Sequence, residues 1–200
     1  MREVRASPLA RFEFEPHNCF ACGSLNAGGL QLPLHLADAR SWTEITLDRR
    51  FEGWEGIAHG GILCTILDEV MAWALVAEDN WGVTARMSVD FRKPVSIGTS
   101  IRAEGWITRS RRRIVDTAGS IVDAETGLHL ATAHGTYLAA DAERKRQLRE
   151  RYGFRLLEQR GNTATPEPVD DSSPAGSRST ADMKPTASDA IATADAGPGS

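Results

Sequence analysis

The residues best suited to chemistry lie in one stretch, EGIAHGGILCTILDEVMAWAL, residues 55–75. It opens on His59, Gly60 and Gly61 and carries two adjacent carboxylates, Asp68 and Glu69, inside an otherwise apolar run. The run predicts one long helix over residues 59–78. The first turn of a helix offers N–H groups with no intrahelical partner, at the positive end of the dipole. Glycines there let a ligand approach the backbone closely. Such a turn can hold an oxygen on which negative charge develops. A partly buried carboxylate is more basic than one in water, which suits a base working near neutral pH. Asp68 is the candidate for that role. The plain structural alternative is a pair of interface salt-bridge residues, and it suits Glu69 better than Asp68.

The elements that must position these groups follow from patterning. At about 100° per residue from Ile62, an apolar stripe covers Ile62, Leu63, Ile66, Leu67, Val70, Trp73 and Ala74. The opposite side holds Cys64, Ala72 and Leu75, which are not polar either. A helix apolar nearly all round is buried on nearly all sides. Asp68 falls at about 240°, away from that stripe and toward a partner or a cleft, and Glu69 at about 340°, at its edge. Before the helix, LQLPLHLA and WTEITLD read as strands. After it, residues 83–92, 100–109, 113–123 and 128–138 read as four more, separated by the turn segments SIGT, RSRR and AETG. DAERKRQLRER reads as a short charged helix. The economical arrangement is an α+β domain, an antiparallel sheet wrapped around one long central helix, with a partner chain covering what remains.

Composition sets the boundaries. Residues 1–29, with their Pro, Asn and Gly clusters, read as an N-terminal loop segment, and residues 30–160 as the folded domain with its C-terminal helix. Residues 161–200 hold no aromatic side chain and cannot offset their ordering entropy, so they read as a disordered low-complexity tail. That tail carries six acids against two bases, which accounts for the whole net charge of -4. The remainder is about neutral and shows no basic stripe, so nucleic acid is not an expected partner. No apolar run reaches the ~18 residues that span a bilayer, and no membrane association is expected. The N-terminus lacks an apolar core of the secretory kind, and three cysteines show no framework spacing. Both suit a reducing cytoplasm. HNCFAC offers His17, Cys19 and Cys22, but structural zinc takes four ligands. Cys64 lies within the helix, and His35 is the one other nearby donor, so the expectation is a packed loop with no metal and no cofactor. No G-x-S-x-G nucleophile elbow is present.

The order strand, strand, helix, four strands, with HGG opening the helix and an acid nine residues after His59, resembles the hotdog-fold acyl-CoA thioesterases. The branch it resembles most is that of the phenylacetate-type (PaaI-like) and 4-hydroxybenzoyl-CoA thioesterases. The resemblance spans roughly residues 17–139 and rests on GIAHGGILCTILDEVMAWAL, VTARMSVDFRKPVSIG and NCFACGSLNAGGLQL. It implies a hotdog fold and hydrolysis of an acyl-CoA thioester to free acid and CoA. It also implies a homodimer or dimer of dimers, in which Asp68 serves the opposite subunit as general base or nucleophile. By the same resemblance Gly60 is a better oxyanion donor than Gly61, Thr84 helps orient water, and His59 sits beside the thioester or braces the turn. The basic turn RSRRR either is a solvated hairpin tip or clamps CoA phosphates through Arg109, Arg111 and Arg112, with Arg92 a weaker candidate. Trp54, Trp73 and Trp81 either belong to the core or line a pocket for a medium-chain or aryl acyl group. Many relatives carry Asn or Gln six residues before the histidine, where this chain has Gly53 in a loop whose acids are Glu52 and Glu55. That departure keeps open a non-catalytic acyl-CoA binding or sensing module. A dehydratase of this fold needs a further histidine ahead of the helix, and between His35 and His129 the chain offers His59 alone.

Overall fold

The apolar run becomes α1, Gly60–Ala77, one residue shorter at each end than the predicted span. His59 is its N-cap, extended at φ -64° and ψ 130°, and its ring accepts a hydrogen bond from the Gly61 N–H. The computed structural model describes residues 2–5, 11–37 and 39–157, and the 161–200 tail lies outside them. In chain order the strands are β1 (Arg2–Arg5), β2 (Arg11–Phe14), β3 (His35–Ala37), β4 (Arg40–Thr46), β5 (Gly82–Phe91), β6 (Ser100–Arg111), β7 (Ile114–Asp123), β8 (His129–Ala139) and β9 (Arg155–Leu157). A second helix, α2 (Ala142–Arg151), is capped by the Asp141 carboxylate, which accepts from the Arg144 N–H at 2.8 Å.

Six of these strands form one antiparallel sheet in the order β3-β4-β6-β7-β8-β5, and α1 lies against its inner face. The inner face is lined by small side chains, among them Ser41, Ala103 and Ala133, so the helix comes close. Gly105 is the tightest point: a Cβ there would stand 2.5 Å from the Val70 carbonyl. The Ser41 hydroxyl donates to that same carbonyl oxygen. By length and composition α1 could cross a membrane, yet here it seats Leu63, Ile66, Leu67, Val70, Met71, Ala74, Leu75 and Val76 in the core. Burial runs further round the helix than the stripe implied, because the sheet curls. Met71 and Leu75 are covered, whereas Ile62 and Trp73 are only partly so.

The antiparallel sheet around a central helix is as expected from the sequence, with three differences. The segment read as loop contains β1 and β2, which pair with each other, and β2 also pairs with β9. LQLPLHLA contributes only His35–Ala37 as strand, since Pro33 has no N–H to give a ladder. A bulge between Thr84 and Arg86 interrupts β5, the strand that leaves one long edge of the sheet without a neighbour among the described residues.

Candidate active site

Asp68 sits two turns into α1, half-buried. Its Oδ1 accepts hydrogen bonds from the Thr84 hydroxyl at 2.7 Å and from the Tyr137 hydroxyl at 2.8 Å. The same Tyr137 hydroxyl is 3.1 Å from the Asp68 carbonyl oxygen. Each donor is placed by its strand. Thr84 stands at the β5 bulge, where the local kink re-aims a side chain. Tyr137 is on the inner face of β8, in a row with Ala131, Ala133, Gly135 and Ala139. Burial and the nearby Asp68 charge push the phenol's pKa up, so it stays a donor. With both donors on Oδ1, Oδ2 has no hydrogen-bond partner among the described residues. The sequence pointed away from the sheet at Asp68. The curled sheet reaches it through Thr84 and Tyr137, and Tyr137 was not foreseen.

At the start of α1 the three residues HGG divide the work. Gly61 N–H is taken by His59 Nδ1 at 2.9 Å. Gly60 N–H has no partner among the described residues, and the Phe91 ring lies beside it, 3.4 Å from where a Cβ would stand. The backbone group open to a ligand is therefore that of Gly60, with His59 holding the turn. Gly53 packs onto His59: a Cβ there would meet the His59 Cα at 3.0 Å and its Cδ2 at 3.3 Å. Glu52 is engaged in its own turn, where its carboxylate accepts from the Gly56 N–H. Glu55 is exposed, and Trp54 is 84% exposed, so neither is held over the turn.

The arginines part company. Arg109 pairs with Asp116, at 2.8 Å from Nε and 2.5 Å from the terminal nitrogen. Hydrogen bonds from Arg109 and then Thr136 hold the Asp116 carboxyl below the usual carboxylate range. Arg111 and Arg112 are exposed at the β6–β7 tip, where with Arg113, Ile114 and Leu138 they line an open hollow. Arg92 is exposed just after β5. In one chain the arginine tip lies beside the Val83 end of β5, since Val83, Leu138 and Ile114 pair in register. Gly60 lies at the Phe91 end, eight residues away or ~27 Å along a strand.

Glu69 faces another way. Trp73 Nε1 donates to its Oε1 at 2.8 Å. Burial, helped by the charge of Cys19, pushes the Glu69 carboxyl up to about 7, against hydrogen bonds from Cys22 and Trp73. A cavity of ≈ 270 Å³ opens here between Phe14, Trp73, Trp81 and Tyr152.

Residues 55–129 match the thioesterase superfamily. The matched segment holds α1, with Gly60 and Asp68, and β5, with Thr84, while Tyr137 on β8 lies beyond it. A solved thioesterase superfamily protein is 25% identical over 60% of this chain and 60% of its own, with a TM-score of 0.57. A Streptococcus mutans UA159 protein bound to acetyl-CoA is 16% identical over 52% of this chain and 84% of its own, TM-score 0.51. A hypothetical thioesterase with coenzyme A from Streptococcus pneumoniae TIGR4 is 18% identical over 64% and 85%, TM-score 0.50. No curated protein matches the chain. The six-stranded sheet and α1 have the hotdog fold of the thioesterase superfamily.

Proposed function

We propose that this protein hydrolyses an acyl-CoA thioester, with the site shared between two copies of the chain. The observation that carries the reading is the Asp68 carboxylate, held on one oxygen by Thr84 and Tyr137 with its other oxygen open. The superfamily match and the coenzyme-bound relatives support the substrate class. The carbonyl oxygen takes the Gly60 N–H, at the positive end of α1. Asp68 Oδ2 then either removes a proton from water as it attacks the carbonyl carbon or attacks that carbon itself. The C–S bond breaks and CoA leaves as thiolate, which takes the proton that water gives up; where Asp68 itself attacks, the acyl-aspartyl anhydride so formed is opened by that water, and by either route the products are acid and thiol.

One chain cannot do this alone. Gly60 and Asp68 are eight residues apart on one helix, ~12 Å along its axis. A nucleophile must stand ~3–3.5 Å from the carbon it attacks. An antiparallel pairing of two β5 edges about Met87 and Ser88 sets the Thr84 end of one strand beside the Phe91 end of the other. That operation brings Asp68 of one copy toward Gly60 of the second, and Arg111 and Arg112 with it. The β5 edge is long and exposes Val83 and Phe91, as an edge that pairs must.

The experiment is free-thiol release from short, medium, long and aryl acyl-CoAs, comparing wild type with Asp68→Asn. Turnover lost in the variant with binding kept supports hydrolysis. A second reading is an acyl-CoA binding module, and the seat of Gly53 on His59 favours it, because it leaves no side-chain amide over the thioester. Binding by both proteins with no thiol released by either would establish that reading instead.

A further inference from the structure

HNCFAC places His17, Cys19 and Cys22 in one loop, and the fold brings Glu69 to the two cysteines. Cys19 Sγ, Cys22 Sγ and a Glu69 carboxylate oxygen all lie within 4.8 Å of one another. His17 Nε2 is 3.9 Å from Cys22 Sγ. The loop takes this shape through its own backbone. Gly23 N–H donates to the Cys19 carbonyl at 3.0 Å, Leu25 N–H to that of His17 at 3.1 Å, and Leu32 N–H to that of Ala21 at 2.9 Å. A Cβ at Gly23 would stand 2.4 Å from Cys19 N, so only glycine lets the chain fold back over the ligands. Phe14 stacks on the His17 ring at 5.2 Å, and Tyr152 meets that ring edge-on at 5.4 Å, which fixes its direction.

We propose that His17, Cys19, Cys22 and Glu69 form a structural zinc site that fastens the N-terminal loop to α1. Two thiols, an imidazole and one carboxylate are a donor set for Zn²⁺, whereas calcium and magnesium take oxygens. The C-x-x-C spacing is the short arm of structural zinc sites. Donors on a tetrahedral zinc stand ~3.5–3.8 Å apart, given Zn–S of ~2.3 Å and Zn–N of ~2.0 Å. Cys19, Cys22 and Glu69 stand within 4.8 Å of one another, and His17 lies outside that group; zinc on His17 Nε2 requires the ring proton on Nδ1, which gives up the hydrogen bond that Nδ1 accepts from the Cys19 N–H at 3.3 Å. The thiols release their protons to solvent as zinc binds. The site is independent of thioester chemistry.

The test uses the full chain, made without a metal-binding tag in zinc-supplemented medium. Elemental analysis is expected to find zinc in proportion to protein. Cobalt exchange is expected to give thiolate charge-transfer bands and the visible bands of a tetrahedral centre. Glu69→Gln and Cys22→Ser should each weaken zinc binding by about 100-fold or more, since losing even a residue that merely supports a ligand costs ~10–100-fold. The cobalt spectrum of the wild type keeps the test open if a variant does not fold. Wild-type protein with neither zinc nor a cobalt spectrum overturns the proposal. So does a Cys19–Cys22 disulfide in its place, or zinc held undiminished by both variants.

Discussion

Asp68 and Glu69 adjoin on α1, about 100° apart around its axis, and their surroundings differ in kind. Asp68 is met by two hydroxyls from the sheet and keeps an oxygen open. Glu69 is met by an indole N–H and two thiols from a loop on the other flank. Hydroxyls hold a carboxylate in place and leave it reactive, while thiols beside a carboxylate make a place for a cation. On the two proposals, one turn of one helix serves two tasks, and the neighbouring acids are not duplicates.

The sharpest way to break this comparison is at Asp68. Asp68→Asn keeps the shape and removes the charge, and kcat for thiol release should fall about 100-fold, ~2.7 kcal/mol of barrier. Zinc content should be unchanged. Tyr137→Phe comes next: it takes from Asp68 a donor at 2.8 Å, and hydrogen bonds to charged groups contribute ~1.5–3 kcal/mol, so kcat should fall about tenfold with KM kept. Steady-state kinetics separate the two constants. On the Glu69 flank, Trp73→Phe removes the N–H that orients the carboxylate, and zinc affinity by competition with a chromophoric chelator should weaken about tenfold. Thr84→Val should cost less than Tyr137→Phe, about threefold in kcat, because Thr84 is exposed and water can take its place as donor to Asp68, whereas Tyr137 is buried. The smallest effect lies outside both flanks. Asp116 has its pKa lowered by Arg109 and Thr136, so its stabilisation is present above the ordinary carboxylate range and is lost as pH falls through the lowered value. Arg109→Gln should flatten the acid side of a stability-against-pH curve slightly, measured by urea unfolding.

How much of this could be read from the chain depends on distance in sequence. The helix and the strands β5, β6, β7 and β8 are local patterns, and the reading placed them to within a few residues. Asp68 was legible because a charge in a greasy run is conspicuous. Tyr137 was not, since its partner is 69 residues away. Yet a trace was there: alternation along β8 puts one large phenol among alanines and a glycine on the inner face. β1, β2 and β9 were missed because strands of three or four residues carry little pattern, and one partner comes from beyond α2. His17, Cys19 and Cys22 were read as a packed loop with no metal, and Glu69 as an interface salt-bridge residue, because the turn that brings Cys19 and Cys22 against α1 is a tertiary fact. Gly53 was read as something missing, whereas packing shows it as the seat of His59.

The central claim is that Asp68 of one copy works on a carbonyl held by Gly60 of another, and a mixed oligomer tests it most directly. Asp68→Asn removes the acid. Gly60→Pro removes the N–H at the first helical position, where proline is tolerated and where the extended His59 suits a following proline. Each variant alone should release little thiol. Chains co-expressed in equal amounts should recover about a quarter of wild-type activity, since half the dimers are mixed and each mixed dimer holds one intact site of two. Activity no higher than the mean of the two parents would contradict a site built from two chains.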